Sequence, residues 1–156
     1  MSWWLWPTTA DVGIRAFSSS PSLLIDEVIH GMQNIVLSNF HTKYDDNTII
    51  GEIEWNYPID RSLDRLMVRI LEEVLYLSEV QNKWIIKSKT MINDNVVHIV
   101  FTYVNPDNVD RDVEVKAVTR HSLEFRKIHE NESIASIDGL PEMLGPGWFA
   151  SVIFDL

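Results

Sequence analysis

Oxygen donors follow the last apolar segment of the sequence. Residues 151–154 read Ser-Val-Ile-Phe, which is typical of a buried strand, and Asp155 and Leu156 come directly after them. The Asp155 carboxylate and the Leu156 carbonyl are ligands of the kind that hard cations such as Ca²⁺ and Mg²⁺ require. A cation site needs a further carboxylate, and Asp11 is the best candidate in the rest of the chain.

Asp11 stands at the start of a strand-like segment, with Gly13 two residues further on. A glycine at such a position permits close backbone approach or a bulge. The simpler interpretation of an isolated aspartate there is an acceptor of hydrogen bonds from Thr8 or from a turn. On the residues alone, both interpretations stay open.

A second group of reactive side chains lies between residues 114 and 121, where Glu114, Lys116, Arg120 and His121 follow one another closely. They are compatible with a general base, a phosphate contact or a cross-strand ion pair. The simpler interpretation is a solvated strand face. Glu73 lies beside the apolar stripe of a predicted helix, where a surface glutamate is the usual case.

Several classes of enzyme are disfavoured by what the sequence lacks. It contains no cysteine, which removes thiolate metal sites and cysteine nucleophiles and fits a reducing, cytoplasmic environment. The five histidines show no HExxH spacing, and there is no P-loop, no GxGxxG opening a helix and no GxSxG motif. A self-sufficient nucleotide enzyme is therefore not expected.

The composition predicts one domain over residues 1–156. The chain is 46% hydrophobic and carries a net charge of −10. That charge repels phosphate backbones, so no stable direct nucleic-acid binding is expected, and it suits a partner with a basic face. No apolar run approaches the roughly 18 residues of a membrane helix, and the apolar segment 1–7 is too short for a signal peptide.

Two amphipathic helices are predicted from apolar residues at helical spacing. Ser20 and Pro21 form a cap and first-residue pair for a helix whose stripe runs from Leu24 to Val36. Asp60 is the predicted cap of a second helix, whose stripe runs from Leu63 to Leu75.

Seven segments have the β-branched and aromatic composition of strands. They are Gly13–Phe17, Thr48–Trp55, Trp84–Met91, Val96–Tyr103, Val113–Val118, Ser122–Ile128 and Trp148–Phe154. Asn105–Asn108 and Asp138–Gly147 are predicted loops. Because most strands follow one another after the second helix, the pattern predicts an α+β fold, with two helices packed on a largely antiparallel, curved sheet.

Four motifs together resemble the archease family. They are residues 9–17 (Thr-Ala-Asp-Val-Gly-Ile-Arg-Ala-Phe), 71–77 on the second helix, 114–125 and 152–156, in the order in which the family has them. The middle and last motifs are quite specific, the first is shorter, and the resemblance extends over essentially the whole chain.

This resemblance implies a cytoplasmic protein cofactor of the RtcB-type RNA ligase that joins tRNA halves in tRNA splicing. The family is not itself a ligase; it assists guanylylation of the ligase and multiple turnover. Carried over to this chain, the family's metal site implies Asp11, Asp155 and the Leu156 carbonyl as ligands of a divalent ion, with Ca²⁺ first and Mg²⁺ or Mn²⁺ as alternatives. Lys116 and Glu73 fall where the family has a lysine and a helix glutamate.

The chain departs from the family pattern at Thr8, where the family usually has histidine. Because histidine is not a preferred ligand of hard cations, the metal hypothesis survives this change. The loop from Gly139 to Gly147 is also longer than is typical. Two alternative functions remain: a chaperone-like binding module that uses the Trp-rich N-terminal segment and this loop, and a metal-dependent hydrolase that uses Asp11, Asp155 and His121.

Overall fold

Two helices and two larger antiparallel sheets form the protein in the computed structural model, which describes residues 3–7, 11–38, 44, 48–59 and 62–156. The helices are α1 (Pro21–Ile35) and α2 (Leu63–Glu79). The strands are β1 (Trp3–Pro7), β2 (Val12–Ser18), β3 (Ile49–Pro58), β4 (Trp84–Ile92), β5 (Val96–Val104), β6 (Ala117–Val118), β7 (Glu124–Ile128), β8 (Ser133–Ile134), β9 (Met143–Leu144) and β10 (Gly147–Asp155). The predicted α+β class is confirmed.

The strands divide between two sheets and a small pair, a division that the sequence did not predict. The larger sheet has the order β1-β2-β10-β6, and β7 pairs with the first half of β10. The second sheet has the order β3-β5-β4, and β8 pairs with β9. Every one of these pairings is antiparallel. No helix among the described residues is both long and apolar enough to cross a membrane.

Helix α1 begins as its sequence predicts. The Ser20 hydroxyl accepts a hydrogen bond from the Leu23 N–H at 3.2 Å, and Pro21 is the first helical residue. This arrangement satisfies one of the backbone donors that a helix start leaves without a partner. The apolar stripe of α1 is buried, so both the cap and the stripe are confirmed.

The predicted cap of α2 is wrong. The helix begins at Leu63 with Ser62 in the cap position, and the Ser62 side chain makes no capping hydrogen bond. Asp60 itself lies outside the described residues. The apolar stripe of the helix is nevertheless as expected, because Met67, Ile70 and Leu71 are at most 1% exposed.

Strand β6 is much shorter than the strand predicted over Val113–Val118. Only Ala117 and Val118 pair with β10, opposite Asp155 and Phe154. The preceding residues have no opposite strand to pair with, because β10 ends at Asp155. The predicted alternation also fails there: Val115 is buried, whereas Val113 is 42% exposed.

Three short strands, β1, β8 and β9, form where no strand was predicted. The Trp-rich segment forms β1, which lies along β2 with Trp3 opposite Ala16. Inside the predicted loop Asp138–Gly147, β9 pairs with β8 over two residues. Ile134 and Met143 from this pair cover a small apolar cluster with Ile128 and Phe149. The main core lies between the helices and the two larger sheets.

A carboxylate is held between α1 and β4. Asp26 accepts hydrogen bonds from the Ser88 and Thr90 hydroxyls, both at 2.7 Å, and from the Thr90 N–H at 3.3 Å. Burial disfavours the ionised form and is the largest influence on this group, so the pKa of Asp26 is raised despite the opposing hydrogen bonds.

This raised pKa predicts a pH dependence of stability. A raised pKa means that the folded state binds the Asp26 proton more tightly than the unfolded chain does. The contribution of the Asp26 proton to folding stability is therefore complete below the ordinary aspartate pKa. It is lost as the pH rises through the pKa that Asp26 has in the folded protein. We expect the unfolding free energy of the wild type, measured against that of Asp26→Asn by urea denaturation, to fall as the pH rises through this range. If the difference in unfolding free energy between wild type and Asp26→Asn stays constant or rises with pH, the raised pKa of Asp26 is contradicted.

Candidate metal site

The antiparallel register of β2 and β10 brings the two predicted carboxylates to one end of the larger sheet. Phe154 is the last residue of β10 that pairs with β2, and it lies opposite Val12, the first residue of β2. Asp155 follows Phe154 and Asp11 precedes Val12, so both aspartates lie just beyond the paired residues of β10 and β2, at the same edge of the sheet. We call this edge, formed by Asp11, Asp155, Leu156 and Lys116, the rim.

Strand β6 brings Lys116, which belongs to the motif of residues 114–125, to the rim. Asp155 pairs with Ala117, and the Lys116 N–H donates a hydrogen bond to the Asp155 carbonyl at 2.7 Å. One step further into the sheet, the Thr119 N–H donates to the Ile153 carbonyl at 2.9 Å. The backbone of Asp155 is thus fixed on the side of β6, while the side chains of Asp155 and Lys116 are exposed.

The rim rests on rigid structure. Val152, Ile153 and Phe154 precede Asp155 and are at most 4% exposed. Gly13 allows the neighbouring strands to come close, since a Cβ there would lie 3.1 Å from the Val152 carbonyl oxygen and 3.2 Å from the Trp6 ring. The close approach predicted for this glycine is confirmed. A buried strand that holds the donors limits the motion of a site that it positions.

The donor set at the rim suits a hard cation. It consists of the Asp11 and Asp155 carboxylates and the Leu156 carbonyl, which are all oxygen ligands. Neighbouring carboxylates repel each other, and a divalent ion removes that repulsion. Within the described parts of the chain, no group of three or more His, Asp or Glu side chains could hold a metal ion. A cation at the rim would therefore need carbonyl oxygens or water as further ligands. Thr8 lies outside the described residues.

Glu73 has a structural partner on its own helix. Its carboxylate lies 3.0 Å from the Arg69 guanidinium, and the Glu73 side chain is only 14% exposed. The i, i+4 spacing of the two residues in the sequence is the signal that could have predicted this pair. Glu73 is therefore an ion-paired and largely buried residue rather than the surface glutamate of the simpler interpretation, and a functional role for it stays a prediction.

His121 does not join the rim. It is exposed in the turn between β6 and β7, where the Ser151 hydroxyl donates to the adjacent Ser122 carbonyl at 2.6 Å. Ser151 lies four positions before Asp155 on β10, which corresponds to roughly 13 Å along an extended strand. The hydrolase alternative needs His121 beside Asp11 and Asp155, and the register of the sheet separates them.

The fold and the rim together define an α+β protein that carries carboxylates at one edge of an antiparallel sheet. The model of the Archease protein family (MTH1598/TM1083) matches residues 3–156. The chain therefore belongs to the archease family, and this membership supports a role as a cofactor protein that works with a partner in RNA processing.

Comparison with solved structures supports the fold assignment. The chain is similar to the solution structure of Methanobacterium thermoautotrophicum protein 1598, with a TM-score of 0.62 and 20% sequence identity over 99% of both chains. At this identity the likeness concerns the fold. The comparison with curated protein sequences gives no significant match.

Proposed function

We propose that this protein activates an RtcB-type RNA ligase in tRNA splicing, acting in the cytoplasm through a divalent cation held at the rim. It promotes guanylylation of the ligase and multiple turnover and does not itself join RNA. Membership of the archease family supports the coarser role in RNA processing. The observation that carries the finer proposal is the convergence of Asp11, Asp155 and Lys116 at one sheet edge.

Each group at the rim has a distinct part in this proposal. Asp11, Asp155 and the Leu156 carbonyl would hold the cation, for which Ca²⁺ is the first choice and Mg²⁺ or Mn²⁺ are the alternatives. A bound divalent ion would supply positive charge for phosphate oxygens in the ligase's nucleotide site. Lys116 adds an ammonium group beside it, exposed for contact with a partner.

The charge of the whole protein supports recognition of a protein partner. The chain carries a net charge of −10, which speeds encounter with a basic surface and opposes binding to the backbone of RNA. We therefore expect no stable direct binding of this protein to RNA.

The chaperone-like alternative is supported less well than the ligase role. It relied on the Trp-rich N-terminal segment as an adhesive surface, but this segment forms β1 and its Trp3 is only 6% exposed. Of the two surfaces that the alternative uses, the loop keeps an exposed apolar residue, because Leu144 is 66% exposed.

One assay separates the three functions. Purified protein is added to the ligase with GTP and divalent ion, and the formation of ligase–GMP is followed. Faster formation supports the proposed function. Suppressed aggregation of unrelated proteins without any effect on the ligase would support the chaperone alternative, and phosphate release without ligase would support the hydrolase.

Lys116→Ala tests the part assigned to the lysine. Because its side chain is exposed while its backbone N–H makes the contact with Asp155, we expect the variant to fold and bind divalent ion as the wild type does. Its stimulation of ligase–GMP formation should fall about tenfold or more, which corresponds to the loss of one charged contact. Lys127→Ala, an exposed lysine on β7, is the matched control. Full stimulation by Lys116→Ala would show that the ammonium group has no part in activation.

A further inference from the structure

A basic cavity lies apart from the carboxylates of the rim. It has a volume of about 280 Å³ and lies between the end of β3 and the first turns of α2, with Arg120 contributed by the loop after β6. Arg65 and Arg69 from α2 also line it, and among the described residues of the lining Glu72 is the one carboxylate. Two separate elements, α2 and the loop after β6, therefore contribute three guanidinium groups to one concave site.

This concentration of positive charge contrasts with the rest of the protein. The chain has 13 basic and 23 acidic residues, yet three of the basic ones line this single cavity. Like charges that face one another repel, so three clustered guanidinium groups are stabilised when an anion joins them. Arginine presents a planar fork of donors that matches the oxygens of phosphate.

Arg69 is held in place before any ligand binds. Its guanidinium lies 3.0 Å from the Glu73 carboxylate and stands 5.5 Å from the Trp55 ring centroid and 5.3 Å from that of Tyr57. These two rings stack on each other at 5.2 Å with an angle of 14° between their planes. A fixed guanidinium loses less conformational entropy when it binds a ligand.

The other two arginines keep their charge available. Within the described parts of the chain, neither Arg65 nor Arg120 forms an ion pair, whereas Arg69, Arg111 and Arg126 each have a carboxylate partner. Both Arg65 and Arg120 are exposed and line the cavity. Their donors can therefore reach a ligand without first breaking one of these ion pairs.

We propose that this cavity binds the phosphate group of a small phosphorylated ligand, no larger than a mononucleotide. Its volume lies just below the usual range for small-molecule pockets, which limits the size of the ligand. The net charge of −10 opposes a polynucleotide but acts weakly on a small anion in a locally basic cleft. Tyr57 and Pro58 of β3 and Leu66 and Val68 of α2 give the cavity an apolar part beside the guanidinium groups.

Calorimetric titration of the intact protein with inorganic pyrophosphate tests the proposal. The buffer contains a chelator, so that no metal ion at the rim can hold the phosphate, and no ligase is present, so that failure here leaves the proposed function untouched. We expect one pyrophosphate per chain, bound more weakly as salt is raised. Arg65→Gln combined with Arg120→Gln should weaken binding about tenfold or more.

Matched variants and ligands decide between outcomes. Arg126→Gln replaces an exposed arginine that pairs with Glu124 on β7, and it should bind as the wild type does once circular dichroism has shown all variants to be folded. Guanosine monophosphate should bind whereas guanosine should not, and comparison with inorganic phosphate measures what the nucleoside adds. Absence of phosphate binding up to about 10 mM, equal binding by the double variant, or equal binding of guanosine would overturn the proposal.

Discussion

Asp155→Asn is expected to weaken binding of Ca²⁺ at the rim at least about tenfold, or to abolish it. The substitution keeps the size of the side chain but removes a negative charge and one hard oxygen ligand. Because Asp155 is exposed and its backbone makes the contacts with β6, the fold should be unaffected. Calorimetric titration with Ca²⁺, and then with Mg²⁺ and Mn²⁺, measures the loss and ranks the ions.

Thermal unfolding provides a second readout of the same site. A ligand that binds only the folded state stabilises it by about 2.7 kcal/mol at a concentration 100 times its dissociation constant. Ca²⁺ should therefore raise the melting temperature of the wild type and leave that of Asp155→Asn unchanged. Asp94→Asn, an exposed aspartate in the turn between β4 and β5, is the matched control and should respond as the wild type does. If Asp155→Asn binds Ca²⁺ with wild-type affinity, Asp155 is not a ligand and the proposed metal site at the rim is wrong.

Phe154→Ala is expected to destabilise the protein by about 3–5 kcal/mol. The Phe154 side chain has no exposed surface and lies on β10 directly before Asp155. The substitution leaves a cavity in the main core, where β10 packs between β2 and β6. Urea denaturation measures the change in the free energy of unfolding.

Leu144→Ala is the control for this second substitution. Leu144 is 66% exposed, so its truncation should change stability by no more than about 0.5 kcal/mol. A loss below about 1 kcal/mol for Phe154→Ala would mean that the end of β10 is not packed as described. The rim would then lack the rigid support that its geometry requires.

Local sequence signals predicted the parts of the fold that depend on local physics. The Ser20-Pro21 pair and the apolar stripe of α1 specify where that helix begins and which face it buries. The same logic fails for α2, because Asp60 is the best capping residue near the stripe whereas the helix begins after Ser62. Helix periodicity is a strong signal, whereas the first residue of a helix depends on the path of the chain before it.

Strand pairing depends on distant partners, which explains the remaining errors. Residues 113–116 alternate between apolar and charged types in the sequence, as a strand should. In the structure β10 ends before it could pair with them. Trp3 to Pro7 form an edge strand because β2 lies beside them, which nothing in their own sequence indicates. The division of the strands into two sheets is likewise a property of the whole chain.

The candidate sites show the same contrast. The rim was predictable because its residues fall in motifs that resemble a known family, and the register of β2 and β10 then places Asp11 and Asp155 at one edge. The basic cavity was missed because Tyr57, Arg69 and Arg120 come from separate elements. Arg120 does belong to the group of reactive side chains between residues 114 and 121, but nothing in the sequence indicates that α2 and β3 lie beside it.

The rate of ligase–GMP formation at a fixed concentration of divalent ion tests the central claim most directly. It is measured with wild-type protein, with Asp155→Asn and with Asp94→Asn, each added in equal amount to the ligase and GTP. We expect the wild type and Asp94→Asn to accelerate the reaction equally, and Asp155→Asn to leave it at the rate of the ligase alone. Full acceleration by a folded Asp155→Asn variant would contradict activation through a metal ion at the rim.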